Sequence, residues 1–322
     1  MSRLIRLLIS VGLLALVIAL ADWRAMAAVL RGVRFEWLGY ALLLAVLDRL
    51  IISYRFQVLL AVRGVSTRFS RVFRVQLAAN FLGSFLPSSI GVDAVRVAAL
   101  RRDGEEPRKV LAAALVDRAT LVLATLIFAT ITVVLLAGGR IPASMVRFVY
   151  GLTGLAIVLL AIALQPAVRS WIRRRMVPRL PQRFHQVITD VSQASLAYRH
   201  EPAVLIRTAV VTLALFGVRI IFAKAVAAAC GVSLSLGDLL LVIPILWIVV
   251  MVPITIGSIG VQDAGYVVLM GLLGVTAPVA ASMSIVEHVV SRAASLPGAF
   301  FLDEFARKPS PPDRGDPEGR TA

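Results

Sequence analysis

Charged and polar side chains set inside apolar stretches are the residues of this chain that could do chemistry. Asp93 and Arg96 stand three apart, Asp117 and Arg118 are adjacent, Gln262 precedes Asp263, and Glu287, His288 and Arg292 stud a later apolar run. Residues three or four apart share a helical face, which pairs Asp93 with Arg96 and His288 with Arg292. Such a set supplies fixed cations for a phosphate, because a guanidinium offers paired donors matched to phosphate oxygens. Arg96 and Arg118 are the residues expected to hold it. Asp93, Asp263 and Glu287 are candidates for coupling, since a carboxylate in a low dielectric can take up a proton. The alternative is that the same charges only pair with one another to hold buried segments in place. Ser258 and His288 could be cast as nucleophile and base of an intramembrane enzyme, but a serine beside glycines is better explained by close packing. Cys230 is alone and His185, His200 and His288 have no metal-ligand spacing, so no metal, cofactor or intrachain disulfide is expected.

Two similar stretches must position these residues. Leu86-Pro87-Ser88-Ser89-Ile90-Gly91-Val92-Asp93-Ala94 and Pro253 to Ala264 share a Ser-Ile-Gly-Val core followed by an aspartate and an alanine. Each interrupts an apolar run, which is costly where backbone groups find no water. Gly64-Val65-Ser66 precedes the first copy and Gly231-Val232-Ser233 the second; Asp93 is followed 24 residues later by Asp117, and Asp263 24 later by Glu287. Three matches in register indicate an internal duplication. Ser88, Ser89, Gly91, Ser258 and Gly260 belong to the interruptions, and Asn80 and Gln262 flank them. The last two read either as local caps of a broken helix or as ligands.

The chain has 322 residues, 59% of them hydrophobic, and a net charge of +16; its mean hydropathy is +0.88. Several runs approach the ~20 apolar residues that span a bilayer, so this is an integral membrane protein. Its arginines lie mainly between apolar runs, which points to anionic lipid headgroups and not to nucleic acid. The basic leader and apolar run up to Ala21 read as a retained first helix or as a signal peptide ending in Ala19-Leu20-Ala21. Residues 22 to 35 read as an interfacial amphipathic segment with Trp23, Met26 and Leu30 on one face.

Spans are expected at 36–62, 109–136, 143–164, 203–229 and 277–302. Asp48 and Arg55 in the first of these share a face two turns apart and read as an ion pair turned inward or as a cavity lining. The arm from Val75 to Leu86 extends about 18 Å as helix, too short for a core of about 30 Å, so it should dip in and return. The arms 238–252 and 261–274 repeat the pattern. Residues 165–202 form a basic cytoplasmic linker, which either lies against anionic lipid or only sets topology, and 306–322 a disordered cytoplasmic tail. The expected fold is an all-α membrane protein with about six spanning helices plus two re-entrant helical hairpins arranged as an inverted-topology repeat. It forms one polytopic domain over 1–305, with repeat units at 36–136 and 203–302. Both termini should be cytoplasmic, in the cell (inner) membrane.

These residues resemble a known family, the transmembrane region of lysylphosphatidylglycerol synthases and its free-standing flippase-like relatives. The resemblance covers about 4 to 302. It rests on Asn80 through Leu100 with its Leu-Pro, Gly-x-Asp-x-x-Arg order, on Val116-Asp117-Arg118, on Pro253 through Ala264, and on Leu296-Pro297-Gly298. Val92 stands where the family usually has a second glycine, Asp117 and Asp263 where glutamate is common, and Ser258 where glycine is. The resemblance implies a multi-span protein that handles lipids, with translocation of an anionic phospholipid or polyprenyl-phosphate carrier as the expected activity. It does not imply aminoacyl transfer, which belongs to a separate soluble domain, so no enzyme activity is expected. The competing expectation is a non-transporting membrane partner of a separately encoded lipid- or glycan-modifying enzyme.

Overall fold

Ten α-helices and one 3₁₀ segment, with no strand, make up the described residues of the computed structural model, which are 22–84, 90–165, 170–171, 174–175, 201–251 and 258–302. The leader, Ser88 and Ser89, residues 252–257 of the second interruption, most of the basic linker and the tail lie outside them. In chain order the helices are α1 (Trp23–Arg31), α2 (Phe35–Val62), α3 (Phe69–Gly83), α4 (Ile90–Arg102), α5 (Pro107–Leu136) and α6 (Ala143–Leu164). They continue with α7 (Pro202–Ala229), α8 (Leu236–Val250), α9 (Val261–Gly271) and α10 (Ala277–Ala293), followed by the 3₁₀ segment Leu296–Phe301.

By length and composition three helices can cross a membrane: α5, the Ala143–Ile162 part of α6, and α7. The helix α2 has the same 28-residue length as α7, about 42 Å, but carries Asp48, Arg49 and Arg55. Those charges are buried or half-buried against α7, α5 and α10, so they face protein.

Both halves end their 28-residue helix with the same cap. In Gly64-Val65, the Val65 N–H donates to Leu60 O at 3.2 Å and the Gly64 N–H to Ala61 O at 3.0 Å. In Gly231-Val232, Val232 donates to Ala227 O at 2.9 Å and Gly231 to Ala228 O at 3.0 Å. Gly64 and Gly231 have φ of +70° and +78°, the left-handed conformation that such a cap requires and that glycine takes without a Cβ penalty. The repeated Gly-Val-Ser is therefore a helix stop in each half.

The short arms α3 and α8 each have 15 residues, about 22 Å, and pack against their return arms α4 and α9. The helix α8 is apolar on all sides, and Leu239, Leu241, Val242, Ile243, Pro244, Ile245, Leu246 and Ile248 are all buried, so it forms the centre of the larger core. Its start is fixed by Ser235, whose Oγ accepts from the Asp238 N–H at 3.1 Å while the Ser235 N–H donates to Asp238 Oδ2 at 3.1 Å. A smaller core joins α2, α3, α4 and α5 through Phe56, Leu59, Val72, Leu100 and Val110. The helix α6 leans on α5 and leaves Phe148, Leu155, Val158 and Leu159 exposed, an apolar face suited to lipid. Met26 of α1 is buried against Ala281 of α10, while Trp23 and Leu30 are exposed.

The final span departs from the expected 277–302. The α-helix stops at Ala293, and Ser295 leads into the 3₁₀ segment. Pro297 is the cause: it lacks an N–H for the helix ladder and disfavours helical backbone at the residue before it. The segment turns onto α3, where a Cβ built on Gly298 would stand 2.3 Å from Leu77 O. Only glycine fits that approach.

Candidate functional site

The sequence-predicted residues come together in two groups. In the first, the arm α4 starts at Ile90, which places Asp93 in its first turn, where free N–H groups favour a carboxylate. Arg96 follows on the same face. Its Nη1 donates to Asp93 Oδ1 at 3.2 Å and to Asp117 Oδ2 of α5 at 3.4 Å, and its Nε donates to Gln76 Oε1 of α3 at 2.9 Å. A second nitrogen also donates to Gln76, and the guanidinium carbon lies 4.5 Å from the centre of the Phe56 ring. Arg118 Nη1 donates to Asp93 Oδ2 at 3.1 Å.

Arg55 completes this group and is 2% exposed. It donates to both Asp117 Oδ1 and Thr120 Oγ1, to the Asp117 carbonyl at 3.2 Å, and to Thr212 Oγ1 of α7 at 3.0 Å. Asp117 is thus clasped by two arginines, from α2 and α4. With every arm of Arg55 engaged and Arg96 bound on three sides, this group has the geometry of a tie between α2, α3, α4, α5 and α7.

The second group belongs to α9 and α10. Asp263, 2% exposed, accepts the Gly260 N–H at 2.8 Å and the Ser284 hydroxyl at 2.6 Å, and His288 Nε2 stands 3.5 Å from its Oδ1. That His288 nitrogen is buried with no closer hydrogen-bond partner among the described residues. Glu287 accepts from Gln262 Nε2 at 2.9 Å and from the Tyr266 hydroxyl. The spacings repeat those of the first group: 25 residues separate Asp93 from Arg118 and Asp263 from His288, and 21 separate Arg96 from Asp117 and Tyr266 from Glu287.

The remaining candidates lie at the edges. Asn80 lies in the last turn of α3, where its carbonyl accepts from the Ser84 N–H at 3.1 Å and its Nδ2 is buried without a partner among the described residues. Gly91 is in the first turn of α4. Ser258 has φ of +62° and Gly260 +87°, so the backbone before α9 is left-handed at both, and Ser258 occupies a conformation that suits glycine. Arg292 is half-buried in the last turn of α10 and has no ion-pair partner among the described residues.

Between the two groups lies a third, built on α2 and α7. Asp48 accepts from Arg49 Nη1 at 2.8 Å and from Arg219 Nε at 2.6 Å. Asp48 and Arg55 share a face of α2 but do not pair with each other: the interhelical ionic partner of Asp48 is Arg219 of α7 and that of Arg55 is Asp117 of α5. Arg49 also donates to Ser295 Oγ at 3.2 Å and to Ser291 O at 3.4 Å, which ties α2 to the end of α10. Beside this group opens a cavity of about 180 Å³, whose charged lining is Asp48, Arg49, Arg219 and Glu287, with Gln262, Ser291 and Trp247 among its other walls. Of the predicted substrate-binding residues only Gln262 and Glu287 line it, joined by Asp48, for which a cavity lining was one of the two readings; Arg55 does not reach it. The signal for Asp48, Arg49 and Arg219 was their charge within apolar runs; Gln76, Tyr266 and Ser284 gave no such signal, being ordinary helix residues until a neighbour is packed on them.

The family model described as lysylphosphatidylglycerol synthase TM region matches residues 3–298, nearly the whole chain. No curated protein and no solved structure matches. The chain belongs to that transmembrane family, and with its long apolar helices it is a membrane protein with a lipid-related function.

Proposed function

We propose that this member of the lysylphosphatidylglycerol synthase transmembrane family translocates a phospholipid, taking the headgroup into the polar interior while the acyl chains stay in the bilayer. The observation that carries the reading is the cavity of about 180 Å³ between α2, α7, α8, α9 and α10, with two arginines and two carboxylates on its wall. Charges inside a helical bundle cost several kcal/mol each unless paired, and a structural role alone gives no reason to leave space beside them. The apolar outer face of α6 and the exposed flank of α5 supply the lipid contact.

The same reading arranges the two halves as an inverted-topology repeat. Two re-entrant hairpins, α3–α4 and α8–α9, and about six spanning helices would place both termini in the cytoplasm. Support comes from the shared Gly-Val-Ser caps, the equal 15-residue arms, and the repeated 21- and 25-residue contacts. Transporters built this way place substrate beside their broken helices; here the cavity borders the second hairpin, α8–α9, and not the first. The phosphate is received by Arg219 and not by Arg96, whose donors are bound.

The test is lipid movement in vesicles reconstituted with the purified chain, with acyl-labelled lipids and dithionite reporting headgroup exposure. Movement faster than in protein-free vesicles, and lost in Arg219→Gln, is expected. Movement no faster than in empty vesicles, across phospholipids and polyprenyl phosphates, would remove the translocase reading in favour of a membrane partner of a lipid-modifying enzyme.

A further inference from the structure

The charges lining the cavity are unequally committed. Asp48 has both oxygens taken, by Arg49 and Arg219. Arg49 is bound through three nitrogens, to Asp48, Ser291 and Ser295. Arg219 uses only Nε on Asp48, and among the described residues its two terminal nitrogens have no hydrogen-bond partner; the guanidinium carbon stands 5.8 Å from the centre of the Trp247 ring. Glu287 is held by two uncharged donors, Gln262 and the Tyr266 hydroxyl, and no cation lies within ion-pair distance among the described residues. One guanidinium end and one carboxylate are therefore left to act on whatever fills the space.

We infer that the cavity selects a small zwitterionic headgroup, a phosphate carrying a short primary-amine arm, with the phosphate on the free end of Arg219 and the ammonium on Glu287. The inference rests on the reading of this cavity as the headgroup site. Charge balance supports it. Asp48, Arg49, Arg219 and Glu287 sum to zero, so a net-neutral ligand adds no uncompensated charge to a low-dielectric interior, whereas a net-anionic headgroup does. The amine offers three donors to a carboxylate that already accepts from neutral groups, which a glycerol hydroxyl matches only without charge assistance. Size supports it as well. A cavity of about 180 Å³ has room for about six water-sized groups, which suits a phosphate and a two-carbon amine.

The experiment uses the full chain in detergent with Trp23, Trp37 and Trp171 changed to Phe, which leaves Trp247 on the cavity wall as the only indole. Trp247 fluorescence is titrated with dihexanoyl phosphatidylethanolamine, phosphatidylglycerol and phosphatidylcholine, and with free phosphoethanolamine. Half-saturation by the ethanolamine lipid at a concentration at least tenfold below those for the other two lipids is expected. Glu287→Gln should bring it to the level of phosphatidylglycerol, and Arg219→Gln should weaken all three. Phosphatidylglycerol binding as tightly as the ethanolamine lipid in the unaltered cavity, or a tenfold preference that survives Glu287→Gln, would overturn the assignment. Free phosphoethanolamine binding as tightly as its lipid would overturn it too, by making a soluble metabolite the ligand. The first comparison needs no cavity variant, so loss of folding in either substitution does not remove the test. Equal translocation of ethanolamine and glycerol lipids in vesicles would sink this inference and leave the translocase reading standing; ethanolamine-selective binding without translocation would do the reverse.

Discussion

Arg55 is the side chain on which the first polar group depends, and its removal gives the sharpest test of that group as a tie between helices. Arg55→Met keeps an unbranched side chain of similar length in a site that is 2% exposed. Thr120 and Thr212 lose only an accepted bond, because their hydroxyls still donate to Val116 O and Thr208 O. The main cost falls on Asp117, 6% exposed, which keeps a single ionic contact, Arg96 Nη1 at 3.4 Å. Breaking a buried pair by removing one partner costs about 3–5 kcal/mol, and the surviving Arg96 contact places this case near the lower end, about 3 kcal/mol. That is about a 150-fold change in the unfolding equilibrium. Replacing both partners, Arg55→Met with Asp117→Leu, leaves no stranded charge and should recover to within about 1 kcal/mol of the unaltered chain. Unfolding by sodium dodecyl sulfate from mixed micelles, followed by far-ultraviolet circular dichroism, measures all three proteins. A single variant within about 1 kcal/mol of the parent, or a double variant less stable than the single, would refute the reasoning.

Gly298→Ala would put a Cβ 2.3 Å from Leu77 O, a backbone atom unable to step aside, so it should cost about 1–3 kcal/mol and loosen α3 in hydrogen exchange. Arg96→Lys keeps the charge but loses the two-nitrogen hold on Gln76; a loss of about 1.5–3 kcal/mol in the same unfolding assay is expected, and no change would show that the fork is idle. Ser235→Ala removes one half of the cap on α8 and should lower stability by about 0.5–2 kcal/mol. For topology, single cysteines are placed at Arg68, Arg102, Ser235 and Thr276, all exposed, in a Cys230→Ala background. The first two should react with an impermeant maleimide only from the cytoplasm and the last two only from outside; labelling of either pair from opposite faces would remove the inverted hairpins.

Much of the architecture was legible in the chain because membrane insertion acts on local properties. Apolar run length marks the helices long and apolar enough to cross a membrane, and a short apolar stretch between arginine clusters marks the 15-residue α3. Turn chemistry is equally local: Gly64-Val65 and Gly231-Val232 end their helices by bonds within six residues, and Pro297 ends the last helix by its own missing N–H. That last stop was written in the sequence, yet the apolar run around it masked the signal and the span was expected to continue to 302.

Tertiary structure decided who faces whom. Helical periodicity put Asp48 and Arg55 on one face, but two turns along a helix can meet two different neighbours, so Asp48 reached Arg219, 171 residues away, and Arg55 reached Asp117, 62 residues away. The charges of Asp93, Arg96, Asp117 and Arg118 suggested a phosphate site; packing instead gave Arg96 to Gln76, Asp93 and Asp117. The open cavity formed two turns away along the same face of α2, where α7 and α10 set Arg219 and Glu287 on its wall. Sequence alone determined that charges would be buried here and which segments carry them. Which charges are consumed by one another and which are left for a ligand depends on helix rotation and neighbour, and only the packed bundle sets those.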